Sequence, residues 1–368
     1  MEKPFERVAI IGLGLLGGSM ARALKATGQV REIVGYGRTQ ERLDYALEQG
    51  IADTVTRDPA QAVRGADFVV VATPVGLIPT LLDQLAGHIE PDAIVIDVGS
   101  TKESIVRHAE SVLPDSVHFV GCHPMAGSEE SGVQASSPIL FENALCVVAA
   151  SARVEVSAVQ RVVRMWEGLK ARVMVMSPGE HDMLVAAASH LPHLVAVSLC
   201  NAINGLSADN EKILPLLAGG FRDTTRVASG SPEMWRDILL SNREPISRVL
   251  GQFADSLQFL RARLDNADPG ELIDMFHGAK EFRDSIPQRG LGALESDYEL
   301  LVDVADRPGV LGEITTALGN AGINIKNMNI RHVRDLGGGT LLVVLEKEID
   351  IDRAIALLEK QGFASKRR

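Results

Sequence analysis

VAIIGLGLLGGS, residues 8–19, decides how the rest of this 368-residue chain is read. Four apolar residues run straight into Gly12, Gly14 and Gly17, a GxGxxG spacing, with Leu15 and Leu16 where a helix would begin. A strand that turns sharply into a helix needs a first glycine for the turn. It needs a second where pyrophosphate approaches the backbone, and a third where helix and strand touch. The free N–H groups of the helix N-terminus then face phosphate. A lone glycine pattern also occurs as an incidental turn, so the surrounding sequence has to carry the reading.

It does. RVAIIGLG, REIVGYGR, DFVVVATP, AIVIDVGS, VHFVGCHP, ALCVVAA and ARVMVMS read as strands. The early ones are nearly continuous apolar runs, as in a parallel sheet covered on both faces. Helical patterns such as 17–27 and 39–50 lie between them, giving the βαβ rhythm of a doubly wound α/β domain over 1–177. From 178 to 288 strand-like runs vanish. Helical patterns at 179–206, 209–219, 231–240, 243–266 and 269–285 predict an all-α domain whose apolar faces call for a second subunit, hence a homodimer. IPQRGLGALESD (286–297) reads as a linker. Residues 297–368 read β-α-β-β-α-β, an α+β module of ferredoxin-like order with glycines 337–339 at the central hairpin.

Hydrophobic residues make up 46% and charged residues 23%, an ordinary globular balance, and the net charge is -11. An acidic surface disfavours nucleic acid, which needs a basic face, and the terminal KRR is too short to change this. Cys122, Cys146 and Cys200 form no CxxC or metal spacing, and such scattered thiols suit a reducing cytoplasm. Cys122 reads as filler in a strand end. Residues 1–7 lack an apolar signal core, and no apolar run stands out at the ~18 residues of a membrane span, so no membrane partner is expected.

A ribose-binding acid is expected ~20 residues after the glycines, at the end of the second strand. Gly37 stands there instead, followed by Arg38 and Thr39. Two readings stay open: these residues hold a 2′-phosphate, giving NADP, or Arg38 covers the adenine and NAD binds. Thr73 and Pro74, after the third apolar run, border the nicotinamide side. Ligands gather beyond the carboxyl ends of such strands. DVGSTKES (97–104) and GCHPMAGSEESG (121–132) fall there and bring Ser100 and His123 to the cleft. An imidazole titrates near neutral pH and suits a general base; the bland alternative is a turn cap beside Pro124. In EHDMLVAAASHLPHL, His190 and His193 share a helix face, and Pro192 predicts a kink. Nothing completes a metal set around this HxxH pair. AGGFRDTTRVASGSPEMWRDI concentrates Arg222, Asp223, Arg226, Trp235 and Arg236, and arginine forks suit substrate carboxylates.

Taken in order, GLGLLGGS, DVGSTKESI, GCHPMAGSEESG, SHLPH, GGFRDTTRVA and PEMWRDI resemble the prephenate dehydrogenase family over residues ~6 to 285. DRPGVLGEIT (306–315) with GINI (322–325) resembles an ACT domain. The resemblance implies oxidative decarboxylation of prephenate to 4-hydroxyphenylpyruvate in tyrosine biosynthesis. It makes His123 the proton acceptor and Ser100 the serine that bonds the reacting hydroxyl and the histidine. It puts His190 and His193 in the substrate pocket, Trp235 in that pocket or at an interface, Arg226 on a substrate carboxylate, and Ser128 and Glu129 where the substrate side chain is recognised, with a gate or an ion pair to an arginine as the other roles open to Glu129. The ACT likeness implies feedback by tyrosine at Pro308, Gly309, Gly312 and Asn324, or a module that only dimerises.

Three alternatives bound this reading. An arogenate or dual-specificity cyclohexadienyl dehydrogenase differs only in which side chain it accepts. A 3-hydroxyacid-type dehydrogenase would carry a catalytic lysine that the region after 177 lacks. A nucleotide-sensing regulator would have no need of Ser100, His123, His190 and Arg226 together.

Overall fold

The structure, a computed structural model, describes residues 5–126, 132–267, 269–286, 298–305, 307–334 and 338–367. They divide into two compact units, Met1–Gly292 and Ala293–Arg368.

The first unit begins with β1 (Phe5–Ile11), α1 (Leu15–Ala26), β2 (Val30–Tyr36), α2 (Gln40–Glu48), β3 (Thr54–Thr56), α3 (Pro59–Val63) and β4 (Phe68–Val71). It continues through α4 (Ile78–Leu85), β5 (Ile94–Asp97), α5 (Glu103–Val112), β6 (His118–Pro124), β7 (Leu145–Ala149), α6 (Val156–Gly168) and β8 (Arg172–Met176). The eight strands form one sheet in the order β3-β2-β1-β4-β5-β6-β7-β8. The first six positions are the doubly wound order. All seven apolar runs became strands. β3 is an eighth that the sequence did not announce, because TVT is short and half-polar. β7 pairs antiparallel with β6, and β8 is parallel to β7, so the last two strands run against the rest.

Side chains of β1, β4 and β5 alternate between two cores, as strand geometry requires. Val8, Ile10, Phe68 and Val70 face Met20, Leu24 and the fully buried Trp166 on one side. Ala9, Ile11, Val69 and Val71 face Ile78, Leu82 and Leu85 of α4 on the other.

The unit closes with α7 (Pro178–Val185), α8 (Leu191–Asp209), α9 (Gly219–Thr225), α10 (Pro232–Ser241), α11 (Arg243–Asn266) and α12 (Pro269–Ser285). α7 and α8 are joined by one π-helical turn, Ala186–His190, in which the Leu191 N–H donates to the Ala186 carbonyl five residues back. The expected kink at Pro192 is thus realised as a widened turn just before it. Proline has no N–H to give the residue four back, and the wide turn takes up the irregularity. Pro178–Ala208 is long and apolar enough by composition to cross a membrane, which no run singled out in the sequence was. Yet it carries His181, Asp182, His190 and His193, all buried. Leu206, Leu216, Phe276 and Phe282 of the helical region are more than half exposed.

The second unit comprises β9 (Glu299–Ala305), α13 (Val310–Asn320), β10 (Ile325–Arg334), β11 (Gly338–Leu345), α14 (Ile349–Lys360) and β12 (Ser365–Arg367). Its sheet order is β10-β11-β9-β12, antiparallel throughout. Ile314 and Leu318 of α13 and Ile351 and Leu358 of α14 pack on its buried strand residues. Gly338 and Gly339 lie inside β11, and the turn before them is outside the described residues.

Candidate active site

The glycine turn is built as its spacing demands. Gly12 has φ +111°, and a Cβ there would lie 2.7 Å from the Ala72 carbonyl oxygen. A Cβ on Gly17 would fall on the carbonyl oxygen of Gly12. Gly14 caps α1 with open space where its side chain would be. Beside this turn lies a cavity of about 390 Å³, within the ~300–1,000 Å³ common for ligand sites. Gly12, Leu13, Gly14, Arg38, Thr39, Thr73 and Pro74 line it, together with Tyr36, Arg42, Thr80 and Gln84, which the sequence reading had missed. Leu15 and Leu16, expected at the cofactor, open α1 and do not line this cavity; Leu16 packs on the core. The Thr73 hydroxyl is buried without a hydrogen-bond partner among the described residues. A glycine-lined cleft that carries a buried, unpartnered hydroxyl fits a dinucleotide.

The end of β2 bears on which dinucleotide. A Cβ at Gly37 would stand 3.0 Å from a methyl of Leu43, so a side chain there needs Leu43 to yield. Arg38 and Arg42 are exposed at the cavity, and the Thr39 side chain makes no capping bond to α2.

His123 sits at the carboxyl end of β6, on the same sheet edge as the glycine turn. Its Nδ1 is 2.8 Å from Nε2 of His181, and His181 Nδ1 is 2.8 Å from Oδ1 of Asp182. Asp182 also accepts the Lys102 and Glu103 N–H groups at 2.7 and 2.9 Å, which caps α5. Burial holds the His123 imidazole well below 6.5, helped by the nearby His181, Lys102 and His190. The base is therefore neutral around pH 7. Ser100, half-buried in the loop after β5, is not hydrogen-bonded to His123 among the described residues.

Beneath the strand ends, Lys102 is wholly buried. Its ammonium pairs with Asp97 and donates to the Cys122 carbonyl at 2.8 Å, which anchors the residue next to His123. Burial pushes the Asp97 carboxyl up, and the Lys102 charge opposes this. Cys122 is buried as strand filler and accepts a bond from Trp166 Nε1 at 3.3 Å.

The helical region supplies the other wall. His193 stacks on Trp235, with ring centroids 3.4 Å apart and planes 16° apart, and His190 meets the same indole edge-on at 6.0 Å. Asn242 Nδ2 donates to the Asp182 carbonyl at 2.8 Å and lies 3.2 Å from His190 Nδ1. Burial pulls His190 down to about 4, against the opposing Asp182 charge. Arg226 is exposed at the 3-10 turn after α9. Ser128 and Glu129 lie outside the described residues.

His181, Asp182 and Lys102 escaped the sequence reading. The available signal was a polar His-Asp pair at the start of an otherwise apolar helix, and a lysine two residues after Ser100 in the loop that follows β5.

In the second unit, Arg307, Gly309, Val310 and Gly312 line a cavity of about 260 Å³ at the turn from β9 into α13. Gly309 has φ +88°, and Pro308 precedes it. Asn324 instead donates to Glu346 at 2.9 Å, beside the start of β10.

Three families match in order. The prephenate dehydrogenase nucleotide-binding domain covers residues 20–175, the prephenate dehydrogenase dimerization domain 177–278, and the ACT domain 298–363. A Bacillus subtilis prephenate dehydrogenase is 38% identical over 98% of both chains. A Zymomonas mobilis cyclohexadienyl dehydrogenase is 34% identical over 76% of this chain and 95% of its own. Among solved structures, Aquifex aeolicus prephenate dehydrogenase in complex with hydroxyphenyl propionate and NAD+ superposes with a TM-score of 0.73. It is 32% identical, over 78% of this chain and all of that one. With its dinucleotide turn and its imidazole at the sheet edge, and with family models and relatives matching along its length, the chain belongs to the prephenate dehydrogenase family and is a nicotinamide-dependent oxidoreductase.

Proposed function

We propose that this chain oxidises prephenate to 4-hydroxyphenylpyruvate, with release of carbon dioxide and a reduced nicotinamide cofactor. One observation carries the reading: a neutral, part-buried imidazole, His123, shares the sheet edge with the dinucleotide turn. When bound, the nicotinamide accepts the hydride from the hydroxyl-bearing ring carbon. His123 takes the hydroxyl proton as the hydride leaves. Loss of the ring carboxylate restores aromaticity, and the proton returns to the phenolic oxygen, so His123 serves in both directions. Ser100 orients the hydroxyl. Arg226 holds a carboxylate as a charged fork, His190 and His193 line the ring pocket with Trp235, and Ser128 and Glu129 border the substrate side chain.

NADP is the cofactor this reading favours. Arg38 and Arg42 bring two guanidinium groups to the cavity where a ribose acid would stand, and Leu43 crowds any side chain at position 37. Guanidinium groups pair with phosphate in a bidentate manner. The exposed apolar residues of α8, α11 and α12 support a homodimer closed through the 178–288 helices, and the three free thiols suit a cytoplasmic enzyme. The 297–368 module is read as the tyrosine sensor, with Arg307 and the glycine turn as its cavity.

Prephenate and arogenate assayed against NAD and NADP, with and without tyrosine, test the substrate, the cofactor and the effector. Prephenate with NADP should give the highest kcat/KM. No cofactor reduction with either substrate would overturn the reading.

A further inference from the structure

We propose that His181 is a positioning residue that holds His123 in its Nδ1–H form, leaving Nε2 as the nitrogen that meets the substrate hydroxyl. This rests on the reading of His123 as the base.

The chain of bonds fixes each proton in turn. Asp182 offers only acceptor oxygens to its neighbours: Oδ1 lies against the Lys102 N–H and His181 Nδ1, and Oδ2 against the Glu103 N–H. A bare Nδ1 on His181 would set a lone pair against a carboxylate at 2.8 Å. Nδ1 of His181 must therefore carry hydrogen, and its neutral ring then has a bare Nε2. That Nε2 lies 2.8 Å from His123 Nδ1, so His123 must be the donor there. The remaining nitrogen of a neutral His123, Nε2, is left with its lone pair. His181 and Asp182 are 0% and 1% exposed, so water does not compete for these bonds.

The same chain gives the proton a path. Nε2 of His123 forms a bond to the substrate hydroxyl proton as the hydride departs. The Nδ1–H bond of His123 breaks as His181 Nε2 takes that proton. The positive charge then rests on His181, against the Asp182 carboxylate. Return of the proton to the phenolic oxygen reverses both transfers. No other reactant is consumed.

The full-length protein labelled with ¹⁵N-histidine tests this. A free neutral imidazole favours Nε2–H, so an Nδ1–H signal for His123 at neutral pH is diagnostic. His181→Phe keeps a ring but removes the acceptor. It should switch His123 to Nε2–H and lower kcat by ~10²–10³-fold, while the cofactor KM stays within ~2-fold. His181→Gln, with an amide oxygen near the Nε2 position, should keep the Nδ1–H form and recover at least ~10-fold of the loss. Retention of Nδ1–H in His181→Phe, or a kcat within ~3-fold of the parent, overturns the proposal. If the phenylalanine variant does not fold, the glutamine variant decides: Nε2–H with normal kcat refutes it. An inactive His123→Asn beside a normal His181→Phe removes only the positioning role. A normal His123→Asn removes the base reading beneath it.

Discussion

Lys102 and Asp97 form an ion pair in which neither side chain has any exposed surface. Asp97 takes a second bond from the Gly99 N–H at 2.8 Å, and its other oxygen is buried without a partner among the described residues. The pair ties the loop after β5 to the Cys122 carbonyl in β6, next to His123.

Breaking that pair from one side should be costly. Lys102→Met leaves an unpaired buried carboxyl and should destabilise the protein by ~3–5 kcal/mol, while Lys102→Met with Asp97→Leu should recover much of it. Asp97 already has a raised carboxyl. A group raised in the fold gives stability at low pH that is lost as pH rises through its folded value. The single variant's deficit should therefore widen from acid toward neutral pH in chemical denaturation. A constant deficit would refute the burial argument.

His123→Asn should reduce kcat by ~10²–10⁴ with cofactor binding intact, as loss of a general base does. Arg226→Ala should act differently and chiefly raise the prephenate KM, because it removes a charged grip. Steady-state kinetics of both variants separate the roles; an unchanged KM in the second would remove Arg226 from substrate binding.

The acid side of the pH profile carries a further check. His123 must be neutral to act, and burial, with His181, Lys102 and His190 close by, depresses its proton affinity. The acid limb of kcat/KM should therefore lie below 6.5 rather than at it. Stability has a parallel dependence: His190, lowered to about 4, favours the fold when neutral. Its contribution is full above its ordinary 6.5 and is lost as pH falls through about 4. A rate limb at or above 6.5 would mean that His123 is solvated in the working enzyme.

At the cofactor, Arg38→Ala and Arg42→Ala should each raise the NADP KM by ~10-fold or more and leave the NAD value nearly unchanged. Equal effects on both cofactors would point to adenine contact instead.

Truncation after Ser296 removes the second unit. Loss of tyrosine inhibition with retained turnover is expected. Equal inhibition of both forms would rule out the module as the sensor.

Much of this was legible in the chain, for physical reasons. Gly12 and Gly17 announce themselves because no other residue fits their contacts, and the buried parallel strands because both faces are apolar. β3 was not legible, since Thr54–Thr56 is too short to show a period. Nor was the direction of β7, because an apolar run is the same forward or backward. The site was half legible. His123, His190 and Trp235 stand in polar motifs, but the His123–His181 bond joins residues 58 apart, and nothing in local sequence predicts that contact. Arg42 looked like any surface charge of α2 until Arg38 and Thr39 appeared beside it.

The π turn at Ala186–His190 has a consequence for rotation about the helix axis. In an unbroken α-helix each residue advances about 100°, so His181 and His190, nine apart, would point about 180° from one another. One extra residue in a widened turn takes out about 100° of that advance and swings His190 round toward the His181–Asp182 side. Asn242 registers the outcome, reaching the Asp182 carbonyl and the His190 ring with one amide. Deleting a single alanine from Ala186–Ala188 would leave eight regular steps of about 100°, the same total rotation, so a plain α-helix would then keep His190 and His193 in phase with His181, whereas straightening the helix at its present length would turn them away.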